Sequence, residues 1–205
     1  MVRVKVCGIT SLRDAEKSLE LGADMLGFNF YLPSPRAIAP EKAREIIARL
    51  PAESFNVALF VNAARQEVER TIAGTDGRRL YRALQFHGEE SAEFCAGWGL
   101  EIIKAFRLKE KTALHALADF PADFYLLDSW SAGYGGSGAG FPWEWLDGLD
   151  GGKLILSGGL EPDNVAAAIR RVHPFGVDVC SGVETRPGIK DHEKLKQFII
   201  AAKAA

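Results

Sequence analysis

Short β-branched or apolar runs recur along the chain, each followed by a glycine or polar turn and then by a segment with apolar residues at helical spacing. Eight such runs, at 2–6, 25–28, 56–61, 83–86, 101–105, 124–127, 154–156 and 176–179, predict strands alternating with helices, the pattern of βα units feeding a parallel sheet. Ser11 is placed to cap the first helix, with Asp14 three residues on and Leu12, Ala15 and Leu19 on one face before a stop at Gly22. Pro40 opens a second helix, with Ile46, Ile47 and Leu50 facing inward, and a helical stretch is expected at 91–98. Pro162 opens a further helix striped by Val165, Ala168, Ile169 and Val172, and Asp191 caps the last, which carries Leu195, Phe198, Ile199 and Ala202. The unit after residue 127 is weaker: a Gly/Ser/Ala loop at 131–140 leaves only 142–149 for a short helix.

Eight units in 205 residues sit at the lower size limit of the (β/α)8 TIM barrel. The predicted fold is therefore α/β, a single barrel domain spanning 1–205. An open doubly wound sheet would gather its ligand at one switch point, whereas here the chemically interesting residues follow several strands.

Composition narrows the class. Lys plus Arg total 25 against 27 Asp plus Glu, a net charge of −2, which argues against the basic face of a nucleic-acid binder and against a polybasic membrane anchor. No apolar run approaches the ~18 residues of a membrane span, and MVRVKVCG alternates like a strand where a signal peptide would have an apolar block. Cys7, Cys95 and Cys180 are far apart and odd in number, as in a reduced cytoplasmic protein. No His/Asp/Glu cluster has metal-ligand spacing, so no metal is expected. Seven Asn plus Gln lean towards a thermophile's composition, and association is one thermophile route to stability, so a homodimer is a candidate state.

In such a barrel, chemistry gathers at the C-terminal ends of the strands. Those ends here are Cys7-Gly8, Ser34-Pro35-Arg36, His87-Gly88, Asp128, Ser157-Gly158-Gly159 and Cys180-Ser181-Gly182. Gly158, Gly159, Ser181 and Gly182 follow the seventh and eighth runs, where barrels frequently bind phosphate through backbone amides. One such loop alone is equally a tight turn; two at the expected strands favour an anion site. Cys7 reads as a general base acting through its thiolate, or as a small buried apolar residue. Asp128 reads as a general acid at a dry strand end, or as a turn-capping carboxylate. Arg36, in a loop stiffened by two prolines, suits a substrate carboxylate or phosphate, or a surface salt bridge. His87 either bonds substrate or satisfies a neighbouring backbone group, whereas His115, His173, His192 and Cys95 read as structural. The loop at 133–140 is neither a P-loop nor GxGxxG, and reads as a lid or as a flexible connector.

Taken together, these motifs resemble a known family. Lys5-Val6-Cys7-Gly8-Ile9-Thr10, Phe28-Asn29-Phe30 with Ser34-Pro35-Arg36, Phe60-Val61-Asn62, Gln85-Phe86-His87-Gly88 and Leu127-Asp128 are similar, in order, to blocks of phosphoribosylanthranilate isomerases. So are Gly135-Gly136-Ser137-Gly138, Ser157-Gly158-Gly159-Leu160, Asn164-Val165, Gly176-Val177-Asp178 and Ser181-Gly182-Val183-Glu184. The resemblance spans essentially the whole chain. It implies a barrel that converts N-(5′-phosphoribosyl)anthranilate to 1-(o-carboxyphenylamino)-1-deoxyribulose 5-phosphate by an Amadori rearrangement in tryptophan biosynthesis, without cofactor. It implies Asp128 as general acid, Cys7 as general base and Arg36 on the anthranilate carboxylate. Gly158, Gly159, Ser181 and Gly182 would hold phosphate, with His87 and Asp178 also contacting substrate. Two positions depart from the pattern: Phe86 stands where leucine is expected, and Cys180 where serine is expected. The rival readings are a phosphate-binding lyase of the indole-glycerol-phosphate synthase type and a non-catalytic phosphosugar-binding module. The lyase would need a lysine acid at a strand end, and Lys5 and Lys104 fall within strands.

Overall fold

The computed structural model describes residues 1–74, 79–117, 120–130 and 140–205. Eight parallel strands close on themselves in chain order: β1 (Arg3–Cys7), β2 (Met25–Asn29), β3 (Asn56–Phe60), β4 (Ala83–Phe86), β5 (Glu101–Leu108), β6 (Phe124–Ser129), β7 (Leu154–Leu156) and β8 (Gly176–Val179). The seam between β8 and β1 is in register, with Lys5 opposite Asp178 and Val6 opposite Val179. The TIM-barrel expectation is thus met, with corrections at the strand ends. β1 begins and ends one residue later than its pattern suggests, and β3 stops at Phe60. β2, β5 and β6 run on to Asn29, Leu108 and Ser129. Neighbouring strands keep pairing beyond the apolar run, as Cys7 does with Gly27 and Asp128 with Arg107. Cys7 and Asp128 are therefore strand residues and not loop residues.

The helices are α1 (Leu12–Glu20), α2 (Pro40–Ile47), α3 (Arg65–Ile72), α4 (Ala92–Cys95), α5 (Val165–Val172) and α6 (His192–Ala204). Ser11 caps α1 through its hydroxyl on the Asp14 N–H, Pro40 is the first residue of α2, and Asp191 accepts from Glu193 and Lys194 at the start of α6. The stretch at 91–98 yields a single turn, because the chain folds back and Trp98 Nε1 donates to the Phe94 carbonyl. α5 starts at Val165 and not at Pro162, since Asn164 takes the Glu161 N–H and donates to the Gly159 carbonyl, holding the preceding residues in a turn. After β5 and β6 the chain makes 3-10 turns at Lys111–Leu117 and Trp143–Leu146. A hairpin of β9 (Glu184–Arg186) and β10 (Ile189–Lys190), which no hydrophobic periodicity announces, follows β8. Most of the glycine loop at 131–140 lies outside the described residues.

Strand side chains alternate between two environments. Val4, Val6, Phe28, Phe60, Phe86, Leu127, Val177 and Val179 face the helices and share one core with Ala15, Ala43, Val68, Val165 and Leu195. Met25, Val57, Ala83, Ile103, Ala105, Leu126 and Ile155 form a separate cluster that fills the barrel interior. Phe86, the first departure from the family pattern, faces outward, with its ring 5.3 Å from Phe94 and 5.8 Å from Trp98. It therefore repacks the helix layer and leaves the interior untouched.

At the N-terminal end of the barrel, Asp24 ties three segments together by accepting from Arg3, the Val4 N–H and Lys203 of α6. Burial pushes its carboxyl up, but Lys203, Val4 and Arg3 together outweigh that and leave it below the ordinary value. A carboxylate held low stabilises the fold above about pH 4, and its contribution fades as pH falls through the depressed value. Asp24→Asn is expected to cost about 1 kcal/mol at pH 7, after allowing for solvent screening at this half-exposed edge, and so a few degrees in melting temperature. The gap from wild type should narrow in acid. Melting curves at pH 7 and in acid check this; equal melting temperatures at pH 7 would contradict it.

Candidate active site

Alternation along the strands sends Cys7, Asn29, Gln85, His87, Asp128, Ser157, Asp178 and Cys180 to the interior side of the barrel's C-terminal mouth. All eight line one cleft of about 730 Å³, open to solvent. Arg36, Gly158, Gly159, Ser181 and Gly182 complete its rim, so every site residue expected from the sequence reaches this cleft. Around the rim the order is Asp128 on β6, the Gly158-Gly159 loop after β7, Ser181-Gly182 after β8, Cys7 on β1 and Arg36 after β2. The two glycine loops thus lie between the carboxyl and the thiol.

Beneath Cys7, Lys5 is fully buried and its Nζ donates to Asp178 Oδ1 at 2.7 Å. Asp178 also accepts from Ser157 Oγ at 3.3 Å. Gly27 on β2 makes room for the pair: a Cβ there would sit 2.9 Å from Cys7 Sγ and 3.0 Å from Lys5 Nζ, so any side chain would displace the thiol or the ammonium. The Cys7 thiol is lowered to about 6. The largest cause is a hydrogen bond from Cys180, which outlasts the opposing cost of burial, with Lys5 and Lys190 adding positive charge. Cys180 is correspondingly raised, first by its hydrogen bond to Cys7 and then by burial, and Glu184 Oε1 stands 3.7 Å from its Sγ as a second acceptor.

A second charged cluster supports this corner from the hairpin. Lys190 Nζ donates to the Cys7 carbonyl and to Glu184 Oε1 at 2.9 Å. Glu184 in turn grips Arg36 through Nε and Nη2, at 2.9 and 2.8 Å to Oε2. Burial would raise the Glu184 carboxyl, but Arg36 and Lys190 hold it below the ordinary value. Arg36 is thereby aimed with its fork already half engaged, and Nη1 makes no hydrogen bond among the described residues.

On the opposite rim, Asp128 Oδ1 accepts the Ser129 N–H at 2.8 Å. Asp128 Oδ2 lies 3.3 Å from His87 Nε2 without the alignment of a hydrogen bond. Gln85 Nε2 contacts His87 Nδ1 at 2.8 Å, and with the amide in this orientation the ring's proton falls on Nε2, facing Asp128. Gly158 has φ +80°, and a Cβ on it would come within 2.6 Å of the Ser129 amide, so this turn admits glycine alone. The backbone N–H groups of Gly158, Gly159, Leu160, Ser181 and Gly182 donate no hydrogen bond among the described residues. Four of these five residues are half-exposed and all five line the cleft, so two adjacent loops present five open donors to an anion there.

Lys5, Glu184 and Lys190 are the residues that sequence reasoning left without a role. Lys5 carried a usable signal, since a residue two before Cys7 shares its face of the strand. Glu184 and Lys190 carried none, because only the hairpin's fold brings them under Cys7. Lys104 faces outward and is absorbed by Glu90 and by the Phe86, Gly88 and Ala105 carbonyls, so it is no acid for a lyase. No group of three or more His, Cys, Asp or Glu among the described residues could hold a metal ion. No described helix is long and apolar enough to cross a membrane.

Residues 4–201 match the family model for N-(5′-phosphoribosyl)anthranilate isomerase. A curated relative from Geobacter sp. (strain M21), N-(5′-phosphoribosyl)anthranilate isomerase, is 48% identical over 99% of this chain and 98% of its own length. The crystal structure of phosphoribosyl anthranilate isomerase from Thermotoga maritima is 42% identical, covers both chains completely and superposes with a TM-score of 0.89. Another phosphoribosyl anthranilate isomerase structure, in complex with reduced 1-(o-carboxyphenylamino)-1-deoxyribulose 5-phosphate, is 40% identical over the whole of both chains with a TM-score of 0.85. The closed barrel, the paired amide loops and the thiol and carboxyl that flank them, together with this full-length similarity, place the chain in the N-(5′-phosphoribosyl)anthranilate isomerase family.

Proposed function

We propose that this cleft isomerises N-(5′-phosphoribosyl)anthranilate to 1-(o-carboxyphenylamino)-1-deoxyribulose 5-phosphate, the Amadori step of tryptophan biosynthesis, with Asp128 as acid and Cys7 as base. The observation that carries the assignment of roles is the rim order. A carboxyl and an acidified thiol face each other across the five open amides of two glycine loops. With the 5′-phosphate on those amides, Asp128 protonates the ring oxygen as the C1′–O bond breaks, and the anthranilate nitrogen lone pair forms the C1′=N iminium. The iminium acidifies C2′–H, and Cys7 as thiolate takes that proton to give the enolamine. Ketonisation at C2′, with a proton returned to C1′, completes the product. The iminium is the electron sink throughout, so the chemistry asks for no cofactor. Nη1 of Arg36 meets the anthranilate carboxylate, and phosphate and carboxylate anchors hold the flexible open chain in line. His87 and Asp178, which both line the cleft, complete the substrate contacts, His87 through its Nε2 proton beside Asp128 and Asp178 through its carboxylate, which Lys5 and Ser157 hold in place. Residues 1–205 act as one cytoplasmic catalytic domain, and two copies form a homodimer; light scattering that returned only the 22.3 kDa monomer would overturn the dimer.

Loss of substrate fluorescence without added metal tests the roles. Cys7→Ala and Asp128→Ala are each expected to lower kcat by roughly 100- to 10,000-fold, the usual contribution of one general acid or base. Turnover surviving in either variant removes that residue from the mechanism, and no turnover by wild type overturns the activity. Arg36→Ala is expected to raise KM by roughly 10-fold or more with a smaller change in kcat, from loss of a charge-assisted contact.

The thiolate is the active form of Cys7, so kcat/KM should rise through about pH 6 as the thiol deprotonates. Cys180→Ala removes the largest cause of the lowering and should move this acid limb towards the free-thiol value of about 8.5. Rate profiles of the two proteins check this; an unmoved limb would mean that another group titrates.

A further inference from the structure

Position 180, where the family pattern leads one to expect serine, places a second thiol against Cys7 across the barrel seam. Val6 and Val179 are the last opposed pair of the β1–β8 ladder, and Cys7 and Cys180 follow them directly, Cys180 as the first residue past β8. Both have interior parity, and they belong to one cluster with Leu59, Val61 and Tyr31 at the mouth. Adjacent strands lie about 4.8 Å apart, within the roughly 4.4–6.8 Å Cα separation that a disulfide accepts. Both thiols are free and both line the cleft, which gives a small oxidant its route in.

From this juxtaposition we infer that Cys7 and Cys180 form an oxidation site for hydroperoxides, closing reversibly to a disulfide across the β8–β1 seam. A peroxide-reactive cysteine needs thiolate character, access and a resolving thiol beside it. Cys7 has the thiolate character, from the Cys180 hydrogen bond and the nearby Lys5, and Cys180 is the neighbour. Cys7 thiolate attacks one oxygen of hydrogen peroxide; the S–O bond forms, the O–O bond breaks, hydroxide leaves and sulfur is oxidised by two electrons. Loss of the negative charge on Cys7 removes the largest cause that kept Cys180 protonated, and Lys190 Nζ, 3.9 Å from Cys180 Sγ, favours the new thiolate against burial and Glu184. Cys180 then attacks the Cys7 sulfur, the S–S bond forms and the S–O bond breaks. Overall two thiols and one peroxide give one disulfide and two waters. Cys95 stays out of the exchange: its thiol is pushed up to about 11 by burial, and it packs in the outer core.

The bond itself is independent of the catalytic role given to Cys7, whereas loss of turnover on closure rests on that role. The reduced protein is treated with hydrogen peroxide, alkylated, weighed intact and peptide-mapped, with turnover followed before and after dithiothreitol. The expected result is a loss of about 2 Da, a peptide linking Cys7 to Cys180, and turnover that falls and then recovers fully on reduction. Cys95→Ala should behave the same way. In Cys180→Ser, Cys7 has no resolving thiol, so it should proceed to sulfinate with the addition of two oxygens, and dithiothreitol should restore no activity. Three alkylatable thiols after peroxide, a link to Cys95, or Cys7 sulfinate in the wild type would each overturn the inference. The wild-type mass decides the question even if Cys180→Ser fails to fold.

Discussion

The β8–β1 seam is where the barrel closes, and it is also where the chain buries its least affordable charges. Lys5 and Asp178 face each other in register inside the barrel, each costly to desolvate alone and tolerable only as a bonded pair. Breaking such a pair by removing one partner generally costs about 3–5 kcal/mol, so the seam's register and the ion pair specify each other. A slip of one residue would turn Lys5 towards the apolar helix layer and Cys7 away from the mouth. Closure, charge burial and the placement of Cys7 are therefore one constraint.

The chemistry of the mouth follows from it. Lys5 is close enough to bias Cys7 towards its thiolate, yet Asp178 holds the ammonium, so the lysine acts as a fixed charge below the floor and does not line the cleft. The hairpin after β8 repeats the arrangement from the other side, with Lys190 shared between the Cys7 carbonyl and Glu184, and Glu184 shared between Lys190 and Arg36. Cys7 and Arg36 are thus supported by one connected network. Asp128 stands apart from it, on β6 beside His87 and Gln85.

The inner and outer faces of the strands divide the labour. Apolar side chains at the N-terminal half of the interior seal it, and polar ones at the C-terminal half open it to substrate. The outer face carries the aromatic packing that holds helices to strands, including the stacked Phe30 and Phe60, 5.4 Å apart. This separation explains why Phe86, where leucine is expected, repacks only the helix layer, and why Cys180, on the inner face, packs with Cys7 at the mouth.

Much of this was legible in the chain order. The alternation of apolar runs and helical stripes counted out eight βα units, and the residues at the strand ends named Cys7, Asp128, Arg36 and the two glycine loops, because in a parallel barrel all strand ends share one face. Caps such as Ser11 and Asp191 were equally local, since each bonds to amides two or three residues away. Strand ends were read short at Asn29, Leu108 and Ser129, because those residues pair with a neighbouring strand and no apolar run reports that. The hairpin at 184–190 and the late start of α5 also escaped, being set by hydrogen bonds from Lys190 and Asn164. What the sequence determined by itself is what depends on near neighbours: periodicity, caps, and which residue types end each strand. Only the tertiary structure decided the charges around Cys7. Asp178, Cys180 and Lys190 act on it across the closed seam, joined by Lys5 from two residues earlier on β1, and electrostatics depends on distance in space, which spacing along the chain encodes for Lys5 alone.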